Sequence, residues 1–457
     1  MKKINRRKFM KDTAGAAVLA GMGTWNRASA FSKDRPNILL VLDDQERQPM
    51  HNAPYKQPNR RRLRKHAVEF TDAHCTYPLC SPSRASIMTG RYPHEVGVLT
   101  NIDFAAKNPD LAPNIPSMGG IFSEAGYHTA YFGKWHLSHR AHFDWLTKYG
   151  WKSLDIPNQM VAAWGSDDRV TKSTARWIAK SKDKSPWLMF YSPLNPHDIC
   201  FSFLDKAYPV DRDSPISLPP NFSIEKSPDI KTASEFDEFL FMKKYMPETE
   251  EEWLNYLRFY YFLIESVDHN FGLVLDALEE SGQWDNTVVV FTSDHGEMGS
   301  SHGLHTKGPT MYEENMNVPL WISDPRRMSG FRRCNSMVSN LDILPTMCAI
   351  AGIRRPEPLQ GHDLNSVIEG AEGVERGQLF AEGSLRTQVA WRGVRTREWK
   401  YWHYTNGEEV LFNIKNDPLE MNNLASDPEA DDVLVRFRNR VRKWRRDTND
   451  PLKGFMN

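Results

Sequence analysis

Four short apolar runs, each stopping abruptly at ionisable residues, constrain the fold of this chain more than any other feature. Asn37-Ile38-Leu39-Leu40-Val41-Leu42 ends in Asp43-Asp44, and Thr287-Val288-Val289-Val290-Phe291 leads to Ser293-Asp294-His295-Gly296. Thr129-Ala130-Tyr131-Phe132 runs into Gly133-Lys134-Trp135-His136, and Trp187-Leu188-Met189-Phe190-Tyr191 runs into Asn195-Pro196-His197. Continuous apolarity, without alternation, is what a parallel strand needs when helices cover both faces of its sheet. The carboxyl ends of such strands share the sheet edge where ligands bind. One crevice is therefore expected to collect all four sets of ionisable residues.

Helical periodicity lies between the runs, most clearly from Tyr256 to Leu278, where Tyr260, Ile264, Val267, Phe271, Val274 and Leu278 form an apolar stripe before a stop at Gly282. That stripe reads as core. The alternation predicts an α/β fold, a large domain over residues 31–356 with a mostly parallel sheet sandwiched by helices. Residues 198–252 carry Pro209, Pro215, Pro219, Pro220, Pro228 and Pro247 among charged residues and read as an insertion that walls the pocket. Past Pro356 the register changes. Val389–Arg395, Trp399–Tyr404 and Val410–Asn413 read as short antiparallel strands, followed by a helix over 429–444. Residues 357–457 thus form a small C-terminal α+β domain with an antiparallel sheet.

The amino terminus pairs Arg6-Arg7 with a weakly apolar run, Ala14 to Gly23, and a small-residue site at Ala28-Ser29-Ala30. Residues 1–30 read as a twin-arginine signal peptide, too short in its apolar part to span a bilayer, which needs about 20 apolar residues. The expected partner is the twin-arginine translocation machinery and the expected location is periplasmic or secreted, with no stable membrane insertion. That segment holds seven of the 58 basic and one of the 58 acidic residues, so the remainder carries a net charge of −6 (51 against 57). Nothing in that balance favours nucleic acid. The basic run Arg60-Arg61-Arg62-Leu63-Arg64-Lys65 reads first as a solvated helix face and second as a patch for an acidic substrate. Five cysteines are too few for a disulfide scaffold.

One of those cysteines is placed for chemistry. In Cys80-Ser81-Pro82-Ser83-Arg84, continued by Ala85-Ser86-Ile87-Met88-Thr89-Gly90-Arg91, Ser81 reads as an N-cap and Pro82 as the first helical residue. The thiol then sits beside free N–H groups that favour an anion. Asp43, Asp44 and Asp294 offer hard oxygen ligands, which suit calcium or magnesium better than zinc.

This string resembles the motif of the sulfatases, members of the alkaline phosphatase-like superfamily, in which the cysteine of C-x-P-x-R is oxidised to formylglycine (3-oxoalanine). Met88 stands where the family usually has leucine. The resemblance implies a formylglycine-generating enzyme as a partner and one divalent ion, calcium by expectation. Its ligands would be Asp43, Asp44, Asp294, His295 and the modified Cys80 side chain; many members have asparagine at position 295. It further implies that Arg84 steadies the formylglycine hydrate and that Lys134 and His136 contact it and the sulfate. His197 and Lys307 would bind sulfate and assist the leaving group. In the implied reaction a hydrate oxygen attacks sulfur, the alcohol leaves with a proton from His197 or Lys307, and His136 acts as base when sulfate is expelled. The resemblance extends to Leu411-Phe412-Asn413-Ile414-Lys415-Asn416-Asp417-Pro418 and Asn423-Leu424-Ala425. It departs at Asn317, where the family commonly has arginine.

The leading reading is thus a sulfatase acting on a sulfated small molecule or saccharide. Trp135, Trp145, Trp151, Trp164, Trp391 and Trp402 are candidate sugar-stacking surfaces, although aromatic side chains more often serve the core. Hydrolysis of phosphate or phosphonate esters on the same scaffold is the enzymatic alternative. A secreted glycan-binding protein with a degenerate site is the non-enzymatic one.

Overall fold

The computed structural model describes residues 35–49, 54–102, 108–156, 166–184, 186–225, 230–235, 247–308, 310–385, 389–452 and 455. The expected signal peptide and Trp164 lie outside them. Residues 36–457 form one compact unit.

Its centre is an eight-stranded sheet of β1 (Asn37–Asp43), β2 (His66–His74), β3 (His128–Gly133), β4 (Ser153–Asp155), β5 (Trp187–Ser192), β6 (Thr287–Ser293), β7 (Leu320–Ser323) and β8 (Gly330–Ser339). They lie in the order β4-β3-β5-β1-β6-β7-β2-β8. β1 pairs parallel with β5 and β6, β3 with β4 and β5, and β2 with β8; only β7 runs against its neighbours β6 and β2. The four apolar runs of the sequence are β3, β5, β1 and β6, and they are contiguous in the sheet. Their carboxyl ends therefore line up along one edge, as the strand pattern predicts.

Side chains alternate across a strand, so each face of β1 supplies a different core. Ile38, Leu40 and Leu42 pack with Ile87, Met88, Phe122, Ile343 and Leu344 on one side. Leu39 and Val41 pack with Val170, Ile178, Phe271, Val274 and Leu278 on the other. The stripe from Tyr260 to Leu278 is buried throughout, in a helix of Glu250–Glu280. That helix starts earlier than its apolar period suggests, because Thr249 and Glu252 form a reciprocal capping box. Upstream, Val210, Ile216, Leu218 and Phe222 of the proline-rich segment pack against it.

A second sheet holds β9 (Leu379–Leu385), β10 (Val389–Arg395), β11 (Lys400–Tyr404) and β12 (Glu409–Phe412), all antiparallel in the order β12-β11-β10-β9. The sequence reading lacked β9. The terminal helix runs Asp431–Asp447 and buries Leu434, Phe437, Val441 and Trp444. The small sheet belongs to the same compact unit as the large one. Trp391, Trp402 and Phe412 share a core with Cys75, Met298, Met311 and Tyr312. Trp135, Trp151, Trp391 and Trp402 are fully buried, and Trp145 packs partly buried against the core, so these five serve packing.

Two local expectations are corrected. The helix that carries the thiol is Cys80–Thr89 with Leu79 at the N-cap, so Cys80 itself is the first helical residue. Ser81 Oγ does not cap; it donates to the His136 carbonyl at 2.6 Å and accepts from the Ile102 N–H at 3.1 Å. The basic run is a 3-10 helix, Arg60–Lys65, whose Arg60 is buried and holds Glu46 through two contacts of 2.7 and 2.8 Å. Among the described residues no helix is long and apolar enough to cross a membrane, and all five cysteines are free and buried.

Candidate active site

Four strand ends meet at one guanidinium. Arg84, on the second turn of the Cys80 helix, donates from Nε to Asp294 Oδ2 at 2.8 Å and from NH2 to Asp44 Oδ2 at 3.0 Å. Its NH1 reaches the Lys134 carbonyl at 2.8 Å and Ser192 Oγ at 3.0 Å. These acceptors lie at the ends of β6, β1, β3 and β5. Ser83 fixes the same helix from another side, donating through Oγ to the Asp294 carbonyl and accepting from Asn340 Nδ2 at 2.9 Å. Both variable serines of the motif are thus spent on the loops that carry His136 and Asp294.

Cys80 Sγ faces the interior of this arrangement. It lies 3.2 Å from His295 Nε2, 3.5 Å from Lys134 Nζ and 3.6 Å from Asp44 Oδ1. Lys134 Nζ also pairs with Asp44 Oδ2 at 2.6 Å. Burial alone would raise the thiol, and Asp44 works the same way, but Lys134, Lys307 and His295 outweigh both and bring it down to about 6. Asp44 is held well below the ordinary carboxylate value: burial opposes this, and Lys134, His197, Arg84 and Lys307 override it. Asp294 moves the other way, pushed up to about 7 by burial and by Asp44 beside it.

Asp44, Cys80, Asp294 and His295 each offer a ligand atom, and these atoms all lie within 4.8 Å of one another. Two buried carboxylates, an imidazole and the side chain at position 80 converging on one point fit a divalent cation. Asp43 stands outside that set. As the last residue of β1 it points to the face opposite Asp44, where its Oδ2 lies 3.8 Å from Arg60. Its oxygens are buried and receive no hydrogen bond, and burial together with Glu46 raises it well above the ordinary value.

His136, His197 and Lys307 complete the site. Burial and the neighbouring Lys134 lower both imidazoles well below their usual range, with Lys307 adding to the effect, so each is neutral at neutral pH. Burial would lower Lys307, but Cys200, Cys80, Asp44 and Asp294 raise it far enough to keep it charged. Its Nζ donates to Gln45 Oε1 at 2.5 Å and to Cys200 Sγ at 3.5 Å. Of the seven non-glycine residues with positive φ among those described, Gln45, His136, Ser300, His302 and Thr306 lie in this site or on its 294–307 loop. Strain of that kind gathers where surroundings over-determine a conformation.

Sequence reasoning missed Gln45 and Glu297. Gln45 Nε2 donates to Glu297 Oε2 at 2.6 Å while its Oε1 holds Lys307, so one amide bridges a buried anion and a buried cation. Glu297 Oε1 accepts from Tyr256 OH, Gly299 N–H and Thr306 N–H at 2.8, 2.9 and 2.7 Å, and this closes the loop that carries Lys307. The only signal available was adjacency: Gln45 follows Asp43-Asp44, and Glu297 follows Asp294-His295-Gly296.

Comparison with known proteins agrees with this geometry. The family model described as Sulfatase matches residues 36–353, and that of the N-sulphoglucosamine sulphohydrolase C-terminal region matches residues 300–447. A Delta 4,5-hexuronate-2-O-sulfatase of Bacteroides thetaiotaomicron is 30% identical over 435 residues, covering 90% of this chain and 89% of its own. An ulvan-active sulfatase of Formosa agariphila is 28% identical, covering 92% and 83%. Among solved structures, a 2-O GAG sulfatase superposes with a TM-score of 0.76 at 26% identity, covering 91% of this chain and 93% of that one.

Proposed function

The chain belongs to the sulfatase family, and we propose that it removes sulfate from a saccharide at a formylglycine made from Cys80, beside a divalent ion held by Asp44, Asp294 and His295. As a sulfuric ester hydrolase it needs a nucleophile, cations for the sulfate oxygens and proton transfer at the leaving oxygen. The observation that carries the reading is the convergence of Cys80, Lys134, Asp44, Asp294 and His295 at the ends of adjacent strands.

The ion, with calcium the expected one, and the oxidised side chain supply positive charge and a nucleophilic oxygen at the position Cys80 Sγ occupies. The chain's own residues do the rest. Arg84 holds Asp44 and Asp294 in register, and Lys134 is braced by Asp44 so that its charge faces position 80. Lys307 is kept charged against Gln45 and serves as a fixed cation toward sulfate. His136 is neutral, the state a general base needs. His197 is neutral because of burial and two lysines; a bound sulfate offsets those lysines and raises it toward the range of a proton donor for the leaving oxygen.

A saccharide substrate is supported by relatives whose names specify a hexuronate 2-O-sulfate and ulvan. Export through the twin-arginine pathway to the periplasm or beyond is supported by Arg6-Arg7 and Ala28-Ser29-Ala30. Oxidation of Cys80 by a formylglycine-generating enzyme would then precede transport.

The test is mass spectrometry of the Cys80 peptide from native-host protein, paired with sulfate release from a panel of sulfated saccharides and a matched aryl phosphonate ester. The expected result is an aldehyde at position 80, release from a saccharide sulfate, and none from Cys80→Ala, whose melting temperature stays near that of the parent. Turnover retained in Cys80→Ala, or preference for the phosphonate, would overturn the reading.

A further inference from the structure

Cys80 leaves the ribosome as a thiol, and with a thiol in place the cluster is no longer a set of oxygens. Its four atoms are one sulfur, one imidazole nitrogen and two carboxylate oxygens. Sγ lies 3.2 Å from His295 Nε2 and 3.6 Å from Asp44 Oδ1, and Nε2 lies 3.6 Å from Asp294 Oδ1 and 4.0 Å from Asp44 Oδ1. Zinc bonds of about 2.0–2.3 Å at tetrahedral angles place neighbouring ligand atoms roughly 3.3–3.7 Å apart. These four edges, 3.2 to 4.0 Å, span that range, and the remaining two lie within 4.8 Å. Calcium asks for about six to eight oxygens, and sulfur and nitrogen together favour zinc.

Two further contacts prepare these atoms for an ion. His295 Nδ1 lies 2.9 Å from the Gly296 carbonyl. A carbonyl only accepts, so Nδ1 carries a proton, and Nε2 is the nitrogen aimed at Cys80, Asp44 and Asp294, open to an ion that displaces any proton on it. That is the outer contact that orients metal-ligating histidines. The outer oxygens of both carboxylates are already taken, Asp44 Oδ2 by Lys134 and Arg84 and Asp294 Oδ2 by Arg84. Asp44 Oδ1 is thereby left turned toward the sulfur and the ring, while Asp294 Oδ1, 3.6 Å from the ring, also accepts the Gln45 and His295 N–H groups at 3.1 and 2.9 Å.

We propose that the unconverted form of this chain is a four-coordinate zinc site made of Asp44, Cys80, Asp294 and His295, and that oxidation of Cys80 removes the thiophilic ligand and leaves a site for harder cations. Binding holds the sulfur as a thiolate ligand and shields it from oxidation. Zinc loading and maturation of Cys80 therefore compete. The inference rests on reading this cluster as the metal site, but its test needs no turnover.

The full chain is produced without formylglycine-generating activity, with the thiol verified by mass, and titrated with Co2+ as a spectroscopic stand-in for Zn2+. The expected spectrum has a thiolate-to-cobalt charge-transfer band and the intense visible bands of tetrahedral cobalt, both erased by Zn2+. Cys80→Ser should lose the charge-transfer band and bind Zn2+ more than about 100-fold more weakly, since even outer-contact losses cost roughly 10- to 100-fold. Cys200→Ala should keep the band, because that buried thiol faces Lys307 and lies outside the cluster. A thiol protein folded by circular dichroism that shows no such band would overturn the proposal, as would a band that survives Cys80→Ser or disappears with Cys200→Ala. Sulfate turnover by converted protein whose thiol form gives no band would overturn the zinc site alone; a band without turnover would overturn only the reading as a sulfatase acting through Cys80.

Discussion

Replacing Arg84 by lysine keeps a positive charge in the site and removes the geometry that uses it. The guanidinium holds Asp294 at 2.8 Å, Asp44 at 3.0 Å, the Lys134 carbonyl at 2.8 Å and Ser192 Oγ at 3.0 Å. An ammonium is a compact donor on a flexible stem and lacks the planar fork, so it keeps one carboxylate and abandons the other three acceptors. The loss is one ion-pair contact of about 1.5–3 kcal/mol and two bonds to neutral acceptors, taken at the lower value of about 0.5–1.5 kcal/mol each. Their total, about 2.5–6 kcal/mol, overlaps the ~3–5 kcal/mol cost of depriving a buried ion pair of one partner. In a unit this large each kcal/mol moves the melting temperature by about 2 °C or less, so scanning fluorimetry should show a fall of about 5–10 °C. Activity should drop further, because Lys134 and both carboxylates lose their common reference, and small misplacements of a site cost roughly 100-fold. The assay is kcat/KM for sulfate release beside the melting curve. Arg84→Lys melting within about 1 °C of the parent and turning over within about threefold would refute the claim that one side chain sets four strand ends.

Gln45→Leu should leave the fold intact and lower kcat/KM by about 30- to 100-fold, the value of a hydrogen bond to a charged group with its partner left behind; because Lys307 faces the sulfate itself, the loss should be similar for saccharide and activated aryl sulfates, and a loss confined to saccharide sulfates would refute that role for Lys307. Gly133→Ala should prevent accumulation of soluble protein, because the added Cβ would sit 1.8 Å from the Ser192 carbonyl oxygen at a residue with φ of +111°; soluble yield measures this, and a parent-like yield would count against it. His94 Nδ1 lies 2.9 Å from Glu382 Oε2, and although burial lowers the imidazole, Glu382 raises it above its ordinary value of 6.5. A raised folded pKa gives stability that is full below about 6.5 and fades as pH climbs through the folded value. Melting temperature should therefore fall with pH above 6.5 more steeply in the parent than in His94→Gln, and parallel profiles would refute the linkage.

The four central strands of the large sheet were legible because they are buried on both faces and leave an unbroken apolar trace, and all four runs came out as neighbours; β2, β4 and β8, with half-buried or exposed positions, leave no such trace. The small sheet was less legible. β9, Leu379–Leu385, contains Glu382 and Gly383 and has no apolar run to announce it. Its Glu382 is buried against His94 and Arg392, and Gly383 lets the Trp391 ring approach, so tertiary contact, not local pattern, makes it a strand. The helix start at Thr249 was readable from a capping box but was overshadowed by the prolines before it. Ser81 illustrates the opposite error: a good capping residue in sequence, it is used instead to tie the Cys80 helix to the His136 and Ile102 backbones.

The site residues themselves were named by motif, and the fold explains why one of them sits apart. Adjacent residues at a strand end point to opposite sides of the sheet. Asp44 inherits the face of Leu40 and Leu42, against which the Cys80 helix packs, and Asp43 inherits the face of Leu39 and Val41. Asp43 is therefore answered by a different cation, Arg60, which packs over the Phe291 ring at 3.7 Å and is itself held by Glu46. The two aspartates read as a pair in sequence, yet each belongs to its own ion cluster, with β1 between them. The residue that follows joins one of those clusters to the leaving-group side. Gln45 sends its backbone N–H to Asp294 Oδ1 and its side chain to Glu297 and Lys307. A turn with φ of 78° at Gln45 makes both reaches possible at once. Such a bridge joins positions about 250 residues apart and depends on backbone handedness, neither of which a local string of residues records.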